Sequence, residues 1–151
     1  MNRVEHSPEA TLTATRIIAL ALMAGVLSTS GVVIFLVNNP VIPIQVKGNT
    51  VSQVMAALSA INLLALAFLS SWGVSKQNTD PLHLVWQRRM VIRFALLEGT
   101  ALLNAVAYII ERQWWSFGLL VGTLILMAVL FPTRSRFEHF IETHSSDPTA
   151  T

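Results

Sequence analysis

The chain has no cysteine, and it is short of charge: only 12% of its 151 residues are Asp, Glu, Lys or Arg. The first absence excludes disulfides, thiolate metal sites and cysteine nucleophiles. The second excludes the surface of an ordinary soluble domain, where about a quarter of residues are charged. The ten Lys and Arg residues are scattered and the formal charge is only +2, so no basic tract is present to hold nucleic acid. Soluble-enzyme signatures are missing as well, with no Gly-x-Gly-x-x-Gly, P-loop, Gly-x-Ser-x-Gly or His-Glu-x-x-His. His6, His83, His139 and His144 show no ligand spacing, so neither a metal nor a cofactor is expected, and the reading is non-enzymatic.

What is present is apolar surface. Hydrophobic residues make up 53% of the chain and mean hydropathy is +0.58, so lipid must be part of the solvent. A helix crossing about 30 Å of hydrocarbon needs roughly 20 predominantly apolar residues. Four stretches qualify, at about 17–37, 51–72, 90–110 and 114–131. Backbone groups in lipid must be satisfied within the segment, so these are helices and not strands. The fold class is therefore all-α, an integral membrane four-helix bundle forming one domain. Subtracting four spans leaves no soluble stretch long enough for a core of its own. Arg3, Arg16 and the small residues from Ser28 to Gly31 resemble a cleavable leader, but the apolar run continues to Val37, past a typical leader core, so the first span is read as a retained anchor.

Basic residues orient the spans. Arg3, Arg16, Lys76, Arg88, Arg89, Arg93, Arg134 and Arg136 border one side and only Lys47 and Arg112 the other, which places both termini in the cytoplasm and the chain, multi-pass, in an inner (plasma) membrane. Trp72, Trp86, Tyr108, Trp114 and Trp115 near the span ends suit the headgroup level. Glu111, Arg112 and Gln113 form the whole connection between spans three and four, a tight antiparallel hairpin. Pro40 and Pro43 keep the first outer loop from forming a regular helix. After Pro132, Phe137, Phe140 and Ile141 fall at helical spacing and Ser135 with Glu138 resembles a capping box. A short interfacial amphipathic helix is expected over 134–142, lying on the membrane or docking a partner. The first ten or so residues and the last nine read as poorly ordered ends.

One ionisable side chain lies deep. Glu98 is about eight residues into span three, roughly 12 Å below the cytoplasmic edge. A carboxyl there costs several kcal/mol, so it should be protonated, paired, or facing other helices or water. Arg93 is about one turn deep and can snorkel to the cytoplasm, and five residues' separation points it away from Glu98. By the same rise, Asn62, Ser28 and Thr123 come to roughly 15, 16 and 12 Å. We therefore expect a buried polar layer of Glu98, Asn62, Ser28 and Thr123, with Asn62 as the hydrogen-bond partner of Glu98. Arg93, Thr100 and Asn104 form a second polar stripe on span three. Small pairs suggest where helices pack: Gly118 with Gly122, Ala95 with Gly99, and Ala21 with Gly25.

The stretch from Lys76 through Gln77, Asn78 and Pro81 into Arg-Phe-Ala-Leu-Leu-Glu-Gly-Thr resembles the second half of a proteolipid c subunit of rotary ATP synthases. That resemblance covers about a quarter of the chain and implies that Glu98 carries a proton or cation. The helix before the loop, around Met55 to Leu58, lacks the family's glycine ladder, and there is an extra span on each side. Taken whole, Leu96-Leu97-Glu98-Gly99, Asn104, Tyr108 and Phe131-Pro132-Thr133-Arg134 are similar to uncharacterised small four-helix bacterial membrane proteins, a likeness that implies the fold and no activity. Two function classes follow. One is a structural or interaction protein, a homo-oligomer or a subunit beside a membrane protein partner; the other is a translocating component with Glu98 as its ion-binding carboxylate. In the first, Glu98 sets helix packing or binds a lipid or a partner helix.

Overall fold

A computed structural model describes residues 7–39, 48–71 and 81–145. The chain is all-α: α1 Pro8–Asn38, α2 Thr50–Ser71, α3 Leu82–Glu111, α4 Trp114–Val129 and α5 Arg134–Ser145. Pro8–Asn38, Thr50–Leu69 and Leu82–Glu111 are long and apolar enough to cross a membrane. The 16 residues of α4 rise about 24 Å, short of a hydrocarbon core of about 30 Å; α4 and α5 form a bent pair, with 65° between their axes. Pro40, Pro43, Lys47, Trp72 and the polar loop around Lys76 lie outside the described residues.

α3 is the hub. It packs against α1, α2 and α4, whereas α1 touches α4 only lightly and no packed interface joins α1 to α2. Its buried face carries Phe94, Leu97, Ala101, Ala105 and Tyr108, which meet Ala19, Val26 and Val33 from α1 and Leu120 and Met127 from α4. Among its described side chains α2 buries only Ser52 and Ser59 completely, and its Leu58, Ile61, Leu64 and Phe68 face outward. An apolar face left bare in this way is what lipid tails cover, since burying it against another helix gains nothing over hydrocarbon.

The helices begin and end differently from the apolar runs. α1 starts nine residues ahead of Ile17, because Ser7 caps it by accepting from the Ala10 amide at 3.2 Å and Pro8 occupies the first turn. α3 starts at Leu82, just after Pro81. With 31 and 30 residues, α1 and α3 each exceed the hydrocarbon core by about 15 Å. That excess lets stretches beyond the apolar runs pack on one another, although none has a core of its own. Leu12 of α1, Trp86 and Met90 of α3 and Phe137 of α5 form a second buried cluster, with Phe140 and Ile141 packed against it. Trp86 meets Phe137 edge-on at 4.9 Å between ring centres, so this indole is buried inside the protein and is not part of the aromatic belt.

α5 therefore lays its apolar face on the chain's own α1 and α3. Its start is set by Thr133, whose carbonyl accepts from the Phe137 amide and whose hydroxyl lies 3.4 Å from the Arg136 amide; Ser135 plays no capping part, and Glu138 turns instead to Arg134 at 2.7 Å. The helix continues to Ser145, beyond the point where the tail reads as disordered. The elbow between α4 and α5 is pinned by Arg16, whose Nε donates to the Pro132 carbonyl at 3.1 Å.

At the opposite end the α3–α4 hairpin has only Arg112 and Gln113 between its helices. Arg112 closes α3 in the left-handed region, φ 50°, and its amide donates to the Tyr108 carbonyl. Tyr108 then stacks obliquely on Phe117 at 5.2 Å, while Trp114 stands 78% exposed, as an interfacial anchor does.

Candidate functional site

Polar side chains inside the helical bundle meet on the side of α3 that packs against α2. Asn104 is fully buried; its Nδ2 donates to Ser59 Oγ at 2.7 Å and to the Thr100 carbonyl at 2.8 Å. Ser59 in turn donates to the Met55 carbonyl at 2.7 Å. This is the polar bond between α2 and α3, and one of its partners, Ser59, was not among the residues expected from the sequence. Its signal was only a small hydroxyl one turn from Asn62, on a face that periodicity alone did not single out.

A second contact between the same helices lies at the far end. Glu111, the last residue of α3, accepts from the Val51 amide through Oε1 and the Ser52 amide through Oε2, both at 2.8 Å. The first amides of a helix have no intrahelical acceptor and carry the positive end of its dipole. A carboxylate from another helix thus caps α2 with two charge-assisted bonds. Gln113 adds a bond from Nε2 to the Gly48 carbonyl at 3.3 Å. In the sequence Glu111 stands out only as part of a short turn.

The expected mid-depth layer forms only in part. Glu98 sits near the middle of α3, about 20 Å from its Glu111 end, and is half-buried. It faces α1: its Oε1 lies 3.3 Å from the point where Gly25 would carry a Cβ. Asn62 is also half-buried, with Nδ2 3.8 Å from the corresponding point on Gly99. Glu98 reaches from α3 toward α1 whereas Asn62 reaches from α2 toward α3, and no hydrogen bond joins them among the described residues. Ser28 is exposed on α1 and does not enter the layer, because it projects away from the face that packs on α3. Thr123 is buried, but its hydroxyl donates to the Leu119 carbonyl of its own helix at 2.8 Å.

Arg93 is half-buried and has no carboxylate partner among the described residues. Thr100 donates to the Leu96 carbonyl at 2.9 Å. Of the small-residue pairs, Gly25 and Gly99 make the close approaches just described. Ala21 and Ala95 are exposed, and a Cβ on Gly118 or Gly122 would meet nothing within 4 Å. The Gly118–Gly122 pair thus lies on the open face of α4 and packs against no described helix.

Glu98, Gly25, Gly99 and Asn62 stand at one level where α1, α3 and α2 come together. Next to them, Met55, Gly99, Leu102, Leu103 and Val106 line an apolar groove of about 420 Å³. Among the described residues no group of three His, Asp or Glu side chains is placed to hold a metal ion. The site offers a carboxyl, an amide and an apolar trough, an arrangement suited to hydrogen bonding a neighbour within a membrane. No protein-family model, curated protein or solved structure matches this chain.

Proposed function

We propose that this chain is an integral membrane protein of structural or interaction type, a homo-oligomer or the small subunit of a larger membrane assembly, crossing a bacterial inner membrane four times with both termini in the cytoplasm. The observation that carries the reading is Glu98. A carboxyl half-way along a membrane helix costs about 3 kcal/mol at the bilayer centre, and this one has no hydrogen-bond partner among the described residues. The chain leaves that group for something outside itself to satisfy. Among the described residues Glu98 is also the one ionisable group at that depth, and acid–base chemistry on a substrate needs a second converging with it, which supports a non-catalytic role.

The orientation rests on where the basic residues gather. The starts of α1 and α3 and the end of α4 share one end of the molecule, as the Arg16–Pro132 bond and the Trp86–Phe137 contact require. Arg16, Arg88, Arg89, Arg93, Arg134 and Arg136 gather there, while Arg112 stands at the other end with Glu111 and the start of α2. This asymmetry is the one that favours the cytoplasm. In this reading α4, extended by Leu130 and Phe131, makes the fourth crossing and α5 lies outside the hydrocarbon.

Purification from the membranes of an expression host, followed by light-scattering mass measurement of the detergent-solubilised protein, tests the reading. The expected result is an oligomer or a stoichiometric complex; a lone monomer with no co-purifying protein overturns it. A second reading, proton or cation translocation, is favoured by the same unpartnered carboxyl and by the c-subunit resemblance of this segment. It requires that Glu98→Gln abolish pH-driven flux in liposomes, and undiminished flux in that variant ends it.

A further inference from the structure

At the arginine-rich end of the molecule, where α1 meets α5 at the elbow, there is a cavity of about 370 Å³, within the roughly 300–1,000 Å³ of small-molecule sites. Leu12 and Phe137 make its apolar floor, and Arg16, Arg134, Glu9, Glu138 and Thr13 stand around it. Both floor residues are buried in the ring cluster, so the floor is part of the folded core, while Arg134, Glu9, Glu138 and Thr13 are exposed.

The two guanidiniums are held in the same way. Arg16 donates from Nε to the Pro132 carbonyl at 3.1 Å, and Arg134 donates from Nε to Glu138 Oε1 at 2.7 Å. Neither makes another hydrogen bond to a described residue, so each keeps its Nη groups for a ligand, in the flat fork that suits a phosphate. The Thr13 and Glu9 side chains hydrogen bond to no described residue either. Glu9 is nonetheless close enough to act on Arg134: Glu138 first, and Glu9 after it, hold that guanidinium above its ordinary pKa. Two cations and two carboxylates balance, so the cavity has no net charge to offer a simple anion. Its charges are instead ordered by depth. Arg16 borders Ile17, the first residue of the apolar run, and Glu9 lies seven residues back, about 10 Å farther from the hydrocarbon.

We infer that this cavity binds one phospholipid of the adjoining leaflet whose headgroup carries a phosphate and a primary ammonium, the phosphate accepting from the Nη groups of Arg16 and Arg134 and the ammonium donating to Glu9 and to Oε2 of Glu138. Such a headgroup presents its charges in the same order, phosphate next to glycerol and ammonium beyond it, and a neutral zwitterion matches a neutral cavity. An anionic headgroup leaves both carboxylates unmatched, and a quaternary ammonium has no proton to give them. The tails have a path as well. Leu20, Met23 and Leu27 follow Arg16 by four, seven and eleven residues, on the same side of α1. Leu20 and Leu27 are exposed, and α1 touches α4 only lightly. A lipid held by its headgroup at the elbow lays a chain along the seam between α1 and α4, which a soluble phosphate ester cannot do. The site goes beyond the interaction reading and needs only that the arginine-rich end lie at the membrane surface.

Native mass spectrometry of the delipidated, detergent-solubilised full-length protein, titrated with dioleoyl phospholipids, tests the site. The expected result is one retained phosphatidylethanolamine, bound about tenfold tighter than phosphatidylglycerol or phosphatidylcholine. Glycerophosphoethanolamine, which lacks the tails, is expected not to displace it at equal concentration. Arg134→Gln is expected to weaken the binding about tenfold. Glu9→Gln removes a carboxylate whose side chain bonds to no described residue and leaves one positive charge in excess. The preference is then expected to pass from phosphatidylethanolamine to phosphatidylglycerol, a reversal that loss of folding does not produce. Equal binding of all these lipids by the parent overturns the inference, as does an unchanged preference in Glu9→Gln. Displacement by glycerophosphoethanolamine at parity overturns the phospholipid as ligand and assigns the cavity to a soluble phosphate ester.

Discussion

At the arginine-rich end of the molecule three helices are held together by rings, and at the opposite end two are held by a carboxylate. Trp86, Phe137, Leu12 and Met90 exclude water from the junction of α1, α3 and α5, where the helices extend past the hydrocarbon and burial of apolar surface is favourable. Glu111, by contrast, holds α2 to α3 by accepting from two amides at the start of α2. Between these ends lipid tails compete equally for every apolar side chain, and contacts such as Asn104–Ser59 discriminate one helix arrangement from another. The same chain is thus assembled by hydrophobic burial where it meets water and by directed hydrogen bonds where it does not.

The largest expected effect falls on the ring cluster. Trp86→Ala removes a fully buried indole and should cost about 3 kcal/mol of stability, measured by thermal unfolding in detergent, with α5 becoming protease-sensitive. Cleavage of α5 no faster than in the parent would break the comparison, for it would mean the rings do not hold that end. Glu111→Ala leaves the first amides of α2 without acceptors, and exchange at Val51 and Ser52 should quicken about tenfold while the Trp86 region stays protected. Acceleration at both ends alike would show that the two are one cooperative unit.

Smaller effects sharpen the picture of the middle. Asn104→Ala deletes the bond to Ser59 and should destabilise the α2–α3 pair by about 1 kcal/mol, read by unfolding in mixed micelles. A value near zero would assign α2 placement to Glu111 alone. Arg112→Gly relieves the left-handed backbone at the hairpin, φ 50°, and should raise stability by about 0.5–1 kcal/mol, visible as a higher Tm.

Much of this was legible in residue order, and the misses share a cause. Hydropathy located the membrane helices because a backbone in lipid must satisfy itself locally. The extensions of α1 and α3 escaped because apolar runs mark the extent of hydrocarbon and not of helix; yet Ser7, Pro8 and Glu9 carried a start signal that was there to read. At the candidate site, Glu98 was conspicuous as the deep carboxyl, but its neighbour is Gly25 and not Asn62. Depth can be counted along a chain. The direction from which another helix approaches cannot, and a difference of one position, Glu98 against Gly99, moves a side chain by about 100°.

The amino-acid order by itself determined that this protein is helical, that several of its helices suit a membrane, that its basic residues gather at the helix ends, and that one carboxyl lies mid-span; each follows from properties local to a segment. Only the tertiary structure decided that α3 is the hub, that α5 folds back onto α1 and α3, that Glu111 caps α2, and that Glu98 faces Gly25 of α1 while Asn62 faces Gly99 of α3. Those outcomes depend on which faces of separate helices meet, and an amphipathic face or an uncapped amide is the same in sequence whatever comes to cover it.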